Sequence, residues 1–184
     1  MSALRPAAPL NPPLETARLC LEPLVAAHAP GLFAALHDPA VLRFIQLKPA
    51  ANPAALGLRF AVLAHRRDQP HAERWLQWAI RVKATDTLIG KIDADVNTDE
   101  VATNVGYLIE AAAWGQGYAT EALAAVLALL DGAGVREQRA TVTVGNAASA
   151  AVLRRCGFTL SRVLVDNDRV GGVLVDDWEF VRRA

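Results

Sequence analysis

Between Trp114 and Ala122 the chain reads Trp-Gly-Gln-Gly-Tyr-Ala-Thr-Glu-Ala, and its glycines stand where a strand-like run gives way to a helix-like one. Glycine at positions 115 and 117 removes side chains where a ligand must come close to the backbone. A helix start adds unpaired N–H groups and the positive end of the helix dipole. Together these make a cradle for a phosphate group. Glycines before a helix also occur in plain tight turns, so the loop needs support from its surroundings. Two nucleotide motifs are excluded. A Walker loop needs Gly-Lys-Ser/Thr, and no lysine is present here. A Rossmann fingerprint opens a parallel sheet early in its unit, whereas this loop follows a meander.

Other groups with chemical capacity are more scattered. Asp93 and Asp95 fall on one face of a strand by period-two alternation, where they either face a groove or are simply solvated. Trp75 and Trp78, at odd spacing, fall on opposite faces, and at least one belongs to the core. His28, His37, His65 and His71 are spread along the chain and read as surface or capping histidines. Cys20 and Cys156 are too few and too far apart for a disulfide framework, and both read as reduced. No metal site is expected, because no Cys and His cluster has ligand spacing.

The elements that must position these groups follow from periodicity. Arg18–Leu24 alternates as a first strand. Ala27–His37 carries Leu32, Phe33 and Leu36 at helical spacing, with Asp38-Pro39 expected to stop it. Asn52-Pro53 is a helix start, Asn as N-cap and Pro at the first position, followed by Leu56, Phe60 and Leu63 on one face. Trp75–Val82, Leu88–Val96 and Val101–Ile109 are strands joined by short turns, hence an antiparallel meander. Ala119–Leu130 is a helix ended by Gly132 and Gly134. Ala140–Val144 is a β-branched strand. Asn146–Cys156 is a short helix, and Phe158–Val165 and Val173–Val181 are final strands joined around Gly171-Gly172. The order implies α/β (α+β) architecture with a central, mostly antiparallel twisted sheet. Residues 1–13, rich in Pro and Ala, form a loose tail, and residues 14–184 form one domain.

The segment Asn104–Ala122 resembles the coenzyme A-binding motif of the GNAT superfamily of N-acetyltransferases, and more narrowly its Rim-type ribosomal-protein branch. The family pattern is Arg/Gln-x-x-Gly-x-Gly/Ala. Trp114 occupies the Arg/Gln position, a departure common in this branch, Gly117 the first Gly and Ala119 the last small residue. Glu15–Leu19, Leu88-Ile89-Gly90, Val105-Gly106-Tyr107, Asn146–Ser149 and Cys156-Gly157-Phe158 resemble further landmarks in the family's order, so the likeness covers most of the chain.

That resemblance implies a single GNAT-type domain with helices on both faces of the sheet and two parallel strands, Val101–Ile109 and Ala140–Val144, splayed apart. Acetyl-coenzyme A is the implied acetyl donor. Its pantetheine arm would enter the gap and pair near Leu108 and Ile109. N–H groups of Gly115, Gln116, Gly117, Tyr118, Ala119 and Thr120 would hold its diphosphate. A bulge in the first splayed strand would aim an N–H at the thioester oxygen and stabilise the oxyanion. Asn146 either caps its helix or binds the pantetheine region. Arg154 is expected to reach a coenzyme phosphate, with Arg155 beside it. Ser149 is the implied acid toward the leaving thiolate and contacts the coenzyme. Asp168 lies where the branch places a carboxylate base, as Asp rather than Glu, in a run that also suits a turn.

The implied reaction is transfer to a primary amine by direct attack in a ternary complex. The acceptor is a protein N-terminus or a small amine such as a polyamine, amino acid or aminoglycoside, and a non-catalytic coenzyme-binding module is the alternative. Lys plus Arg and Asp plus Glu both number 19, giving zero formal net charge in 184 residues, which argues against a nucleic-acid partner. The longest apolar run, Ala122–Leu130, is too short to span a bilayer, and the first segment lacks the apolar core of a signal peptide, so no membrane partner and a cytoplasmic location are expected. A monomer or homodimer is the expected state.

Overall fold

The computed structural model describes residues 11–68 and 73–184, so most of the expected tail, and His71, lie outside the described residues. The strands are β1 (Leu14–Glu15), β2 (Leu19–Pro23), β3 (Arg74–Val82), β4 (Thr87–Val96), β5 (Val101–Ile109), β6 (Glu137–Thr143), β7 (Thr159–Val170) and β8 (Val173–Arg183). They form one eight-stranded sheet in the order β1-β2-β3-β4-β5-β6-β8-β7. All neighbours pair antiparallel except β5 and β6, which are parallel. That pair is joined only at Val101↔Glu137 and Ala102↔Gln138. Beyond Ala102 the strands part, as the resemblance implies.

Helices cover both faces. Helix α4 (Tyr118–Gly132) buries Leu123, Val126, Leu127 and Leu130, one stripe at helical spacing. With Ala150 and Leu153 of α5 (Ala147–Arg155) they pack on Trp78, Ile80, Ile92 and Ile109. Each fully buried aliphatic side chain contributes about 2 kcal/mol. On the other face, α1 (Ala29–Leu32), α2 (Pro39–Leu42) and α3 (Pro53–Asp68) bring Leu32, Val41, Leu56 and Phe60 against Ala79 and Leu108. Trp78 is the core tryptophan, and its indole N–H donates to the carbonyl of Pro12. Asn11 bonds both backbone groups of Gln77, so residues 11 and 12 are tied to β3.

The closed end of the splayed pair is locked by a polar cluster. Arg182 of β8 donates from both terminal nitrogens to Asp131 at the end of α4, at 2.8 and 2.7 Å, and to Gln138 of β6 at 2.7 Å. Gln138, fully buried, returns its amide to Asp131 and to the Val135 carbonyl. The Arg182 guanidinium holds the Asp131 carboxyl below the usual carboxylate range.

Several sequence expectations are corrected. The expected helix at Ala27–His37 is broken into a 3-10 turn at Ala26–His28, α1, and a second 3-10 turn at Ala35–His37. Side-chain bonding accounts for part of the break. His28 takes the Val25 N–H and contacts Glu22, while both ring nitrogens of His37 contact the carbonyls of Phe33 and Ala50. Asp38-Pro39 ends that helical stretch as expected, with Asp38 extended, and at the same point opens α2, with Asp38 accepting from the Ala40 N–H. Helix α4 does end at the expected glycines, with Gly132 its last residue and Gly134 following at φ 85°. The last two strands are longer than expected because β7 absorbs register shifts at Leu160/Arg162 and Leu164/Asp168.

The bulge implied for the first splayed strand is on β5, at Thr103. In the β4–β5 ladder the register shift falls between Asp95 and Val96, opposite Thr103, beside the closed end of the pair. There the Thr103 hydroxyl donates to the Asp95 carbonyl and absorbs the extra residue. From Asn104 to Ile109, along the open part, β5 keeps continuous register with β4. Close backbone approach occurs instead at Gly90, where a Cβ would overlap the Leu108 carbonyl oxygen.

Candidate active site

The parting of β5 from β6 opens a cleft of about 1340 Å³. One wall is the backbone of Tyr107, Leu108 and Ile109, and the facing wall is Ala140–Thr143. Leu108 packs into the second core, and Ile109 into the first. The Ile109 carbonyl already accepts from the Trp114 indole N–H at 2.8 Å. Trp114 therefore fastens the glycine turn to the end of β5 and occupies one of the two lone pairs of that carbonyl.

Gly115, Gln116, Gly117, Tyr118, Ala119 and Thr120 all line the cleft at one end. Gly115 and Gly117 have φ 74° and 82°, the left-handed region that strains any residue with a Cβ. Gly117 is the N-cap of α4, and no side chain caps this helix start. The amides at this helix start are therefore not taken up by a capping side chain. Glu121, the acidic residue of the first turn, also lines the cleft, but its carboxylate is taken up by other donors. These are the Thr16 hydroxyl, the Arg18 N–H and the Arg18 Nε.

Helix α5 supplies the floor. Asn146 accepts from the Ser149 N–H through Oδ1 at 3.2 Å, the capping role, and still lines the cleft. Ser149 lines the cleft too, and its hydroxyl lies 2.9 Å from the Tyr107 hydroxyl, which also contacts the Ser149 carbonyl at 3.1 Å. Burial pushes the Tyr107 phenol up to about 12 against the opposing effect of the Ser149 hydrogen bond, so it remains a protonated donor at neutral pH. Arg154 is not among the cleft residues. Its guanidinium lies 5.4 Å from the Phe180 ring centroid, while Arg155 reaches the cleft. The structure thus gives no support to a phosphate contact from Arg154: at its step along the helix it points to the β8 side.

The opposite end is built from the segment after α2 and the final hairpin. Arg43, Phe44 and Ile45 line it with Asp168 and Asp177. Thr143 donates to the Phe44 carbonyl, and Gln46 reaches Asp168 Oδ1 at 2.9 Å and the Arg169 carbonyl at 3.2 Å. Asp177 is buried and accepts from the Asn167 amide. Asp93, paired with Lys91, lines the cleft, but Asp95 does not. Asp95 is pushed up to about 6, first by burial and then by the neighbouring Asp93 charge, with Asn104 and Lys91 partly offsetting both.

The structure brings Leu108, Ile109, residues 115–120, Asn146, Ser149 and Asp168 to one cleft and leaves Arg154 outside. Tyr107, Asp177, Gln46 and Arg18 with Glu121 were not singled out from the sequence. Tyr107 was visible only as part of Val105-Gly106-Tyr107, and its partner lies 42 residues away. Glu121 invited reading as an ordinary first-turn acid.

Among the described residues, no group of His, Cys, Asp and Glu could hold a metal ion, and no helix is long and apolar enough to cross a membrane. Cys156 is a free, half-buried thiol, raised by its burial, with a long contact to the Thr120 carbonyl.

Solved structures share this architecture. The chain is similar to RimL, a ribosomal L7/L12 alpha-N-protein acetyltransferase in complex with coenzyme A (TM-score 0.80, 19% identity, covering 94% of this chain and 98% of that one). It is similar to the ribosomal-protein-S5-alanine acetyltransferase of Vibrio fischeri (TM-score 0.81, 14% identity, 94% and 97% covered). It is also similar to the microcin C7 self-immunity acetyltransferase MccE in complex with acetyl-CoA and AMP (TM-score 0.75, 20% identity, 92% and 94% covered). At these identities the likeness shows the fold. No match is found among curated protein sequences. A family model described as acetyltransferase (GNAT) domain matches residues 18–159, from the turn before β2 to the start of β7. That match holds the parted strands, the glycine turn and α5 in a single span of well over half the chain, which belongs to the GNAT acetyltransferase family.

Proposed function

We propose that this protein transfers an acetyl group from acetyl-coenzyme A to a primary amine, the α-amine of a polypeptide being the favoured acceptor. The observation that carries the reading is the meeting of two features in one cleft: strands that part after Ala102 and a glycine turn whose helix start has no side-chain cap. Parted strands offer backbone groups to an amide-bearing arm, and bare helical N–H groups suit a diphosphate. A Cβ at Gly115 would meet nothing within 4 Å, so that end of the cradle is open. The residues present therefore fit the coenzyme.

Gly115 to Thr120 would hold the diphosphate through their amides. The open edge of β5 and the Asn146 amide would hold the arm. Bound there, acetyl-coenzyme A supplies an activated acyl group as a thioester. The Ser149 hydroxyl, steadied by Tyr107, would return a proton to the departing sulfur. A coenzyme thiol is expected to ionise near 8.5, so this help is modest. Asp168, at the acceptor end, would take the proton released by the amine, directly or through water.

The acceptor preference follows from proton chemistry. At pH 7 deprotonation costs about 1.4 kcal/mol for an α-amine and about 4.6 kcal/mol for a lysine amine. A site whose acceptor-end carboxylates are Asp168, bonded by Gln46, and Asp177, buried and bonded by Asn167, serves the first better. The deciding experiment measures coenzyme A release over a panel: peptides with free α-amines, the same peptides N-blocked with an internal lysine, polyamines and aminoglycosides. Turnover only with small amines would move the acceptor to that class. Saturable coenzyme binding with no transfer to any amine would indicate a binding module, and absence of coenzyme binding would end the proposal.

A further inference from the structure

The turn between β1 and β2 reaches across to the glycine turn at one end of the cleft. Thr16 and Leu19 close this turn through the Thr16 backbone N–H and hydroxyl. It then presents three donors to Glu121: the Thr16 hydroxyl at 2.6 Å, the Arg18 N–H at 2.9 Å and Arg18 Nε at 2.7 Å. With its carboxylate so engaged, Glu121 is held below the usual carboxylate range although burial alone would raise it. Glu121 fixes the guanidinium, and Arg18 Nη1 then donates to the Gln116 carbonyl at 2.9 Å. The guanidinium also lies 4.6 Å from the Tyr118 ring centroid, and Nη2 would be 3.4 Å from a Cβ at Gly117.

We propose that Arg18, locked in place by Glu121, is a positioning residue for the coenzyme diphosphate: it holds the 115–118 turn in the one conformation that aims its amides into the cleft. The inference rests on the acetyl-coenzyme A reading above and deepens it. Its basis is the geometry of a trans peptide, in which C=O and N–H point in opposite directions. Arg18 holds the Gln116 carbonyl on the side away from the cleft, so the N–H of the same peptide unit, that of Gly117, points toward the cleft. Two glycines in sequence positions 115 and 117 give this turn many alternative backbone states, and fixing one residue's backbone costs about 1–2 kcal/mol. A clasp that selects the binding state in the free protein removes that cost from the binding step. The clasp is not a phosphate ligand by charge, since the Arg18 and Glu121 charges offset each other.

The test compares two donors, acetyl-coenzyme A and S-acetylpantetheine, the second lacking the diphosphate. Arg18→Ala is expected to raise KM for acetyl-coenzyme A and Kd for coenzyme A about tenfold, equivalent to about 1.4 kcal/mol. Under the same conditions kcat, and KM for S-acetylpantetheine, stay within about twofold of wild type. Arg18→Lys should resemble the alanine variant, because an ammonium cannot bond Glu121 and Gln116 through a rigid fork while lying over Tyr118. Glu121→Gln should weaken coenzyme binding to a similar degree, and the double variant Arg18→Ala/Glu121→Gln should be no worse than either alone. Equal losses with both donors, full rescue by lysine, or additive effects in the double variant would each overturn the clasp while leaving the coenzyme reading intact. Wild-type protein that binds no coenzyme A would overturn both. Should Arg18→Ala fail to fold by circular dichroism, the Arg18→Lys comparison of the two donors decides.

Discussion

Replacing Asp95 by Asn is expected to stabilise the fold at neutral pH and to do so only there. Asp95 sits on β4, in register with Trp75 of β3 and Asn104 of β5. Burial and the Asp93 charge raise its carboxyl from 3.8 to about 6. Between these values the folded chain binds more protons than the unfolded one, so stability falls as pH rises through that window, and the full penalty remains above it. At about 1.4 kcal/mol per pH unit, an isolated site would give a penalty of about 3 kcal/mol at pH 7. Part of the carboxylate is in contact with solvent, which screens its charge, and about 1–2 kcal/mol is the expected gain for Asp95→Asn. Asparagine retains the size and a hydrogen-bonding edge for Asn104. The assay is urea unfolding of both proteins from pH 3.5 to 8. The difference should be largest at pH 7–8, shrink through pH 6 to 4, and vanish near pH 3.5. Turnover should be that of the wild type, because Asp95 does not line the cleft. A variant no more stable at pH 8, or one stabilised equally at both ends of the range, would refute the reasoning.

The remaining predictions concern the cleft and its hinge. Gly117→Val should abolish coenzyme binding by calorimetry, because φ 82° strains any β-branched residue and the side chain would crowd the Arg18 guanidinium that holds the turn, while the melting curve stays cooperative. Ser149→Ala and Asp168→Asn should each lower kcat more than the affinity for coenzyme A, and unchanged kinetics would remove them from the mechanism. Arg182→Ala should destabilise the fold by about 2–3 kcal/mol in urea titration, since it strands Gln138, which is fully buried, and Asp131 without their partner.

Local signals carried much of this structure. The meander β3–β5, the N-cap at Asn52 and the parting of β5 from β6 were legible because each rests on alternation, a capping pair or a likeness written in contiguous residues. Asn52 indeed accepts from the Ala55 N–H. What escaped was set by partners distant in sequence. The helix expected at Ala27–His37 tightens to 3-10 turns at its two ends, the second where His37 meets Ala50, 13 residues on. Arg154 and Arg155 are adjacent, and only the packing of α5 decides which one reaches the cleft. Glu121 looks like a helix-start acid, yet its donors lie more than 100 residues earlier, at Thr16 and Arg18.

The openness of the cleft is a consequence of how β6 is committed on its two edges. Toward β8 it pairs over seven positions, from Glu137↔Arg183 to Thr143↔Asp177. Toward β5 it pairs over two. β5 is likewise fully engaged with β4 on its other side. Neither strand can rotate to close the gap without losing a long antiparallel ladder, and the Arg182–Asp131–Gln138 cluster fixes the apex from which they diverge. Backbone groups on the facing edges are thereby left without strand partners in the interior of a sheet, where unpaired polar groups are costly unless water or a ligand serves them. A ligand bearing amides at strand-like spacing can satisfy those edges with no rearrangement of the ladders. The Ile109 carbonyl is already served at one lone pair by the Trp114 indole N–H, so a protein group does part of that work at the end of β5.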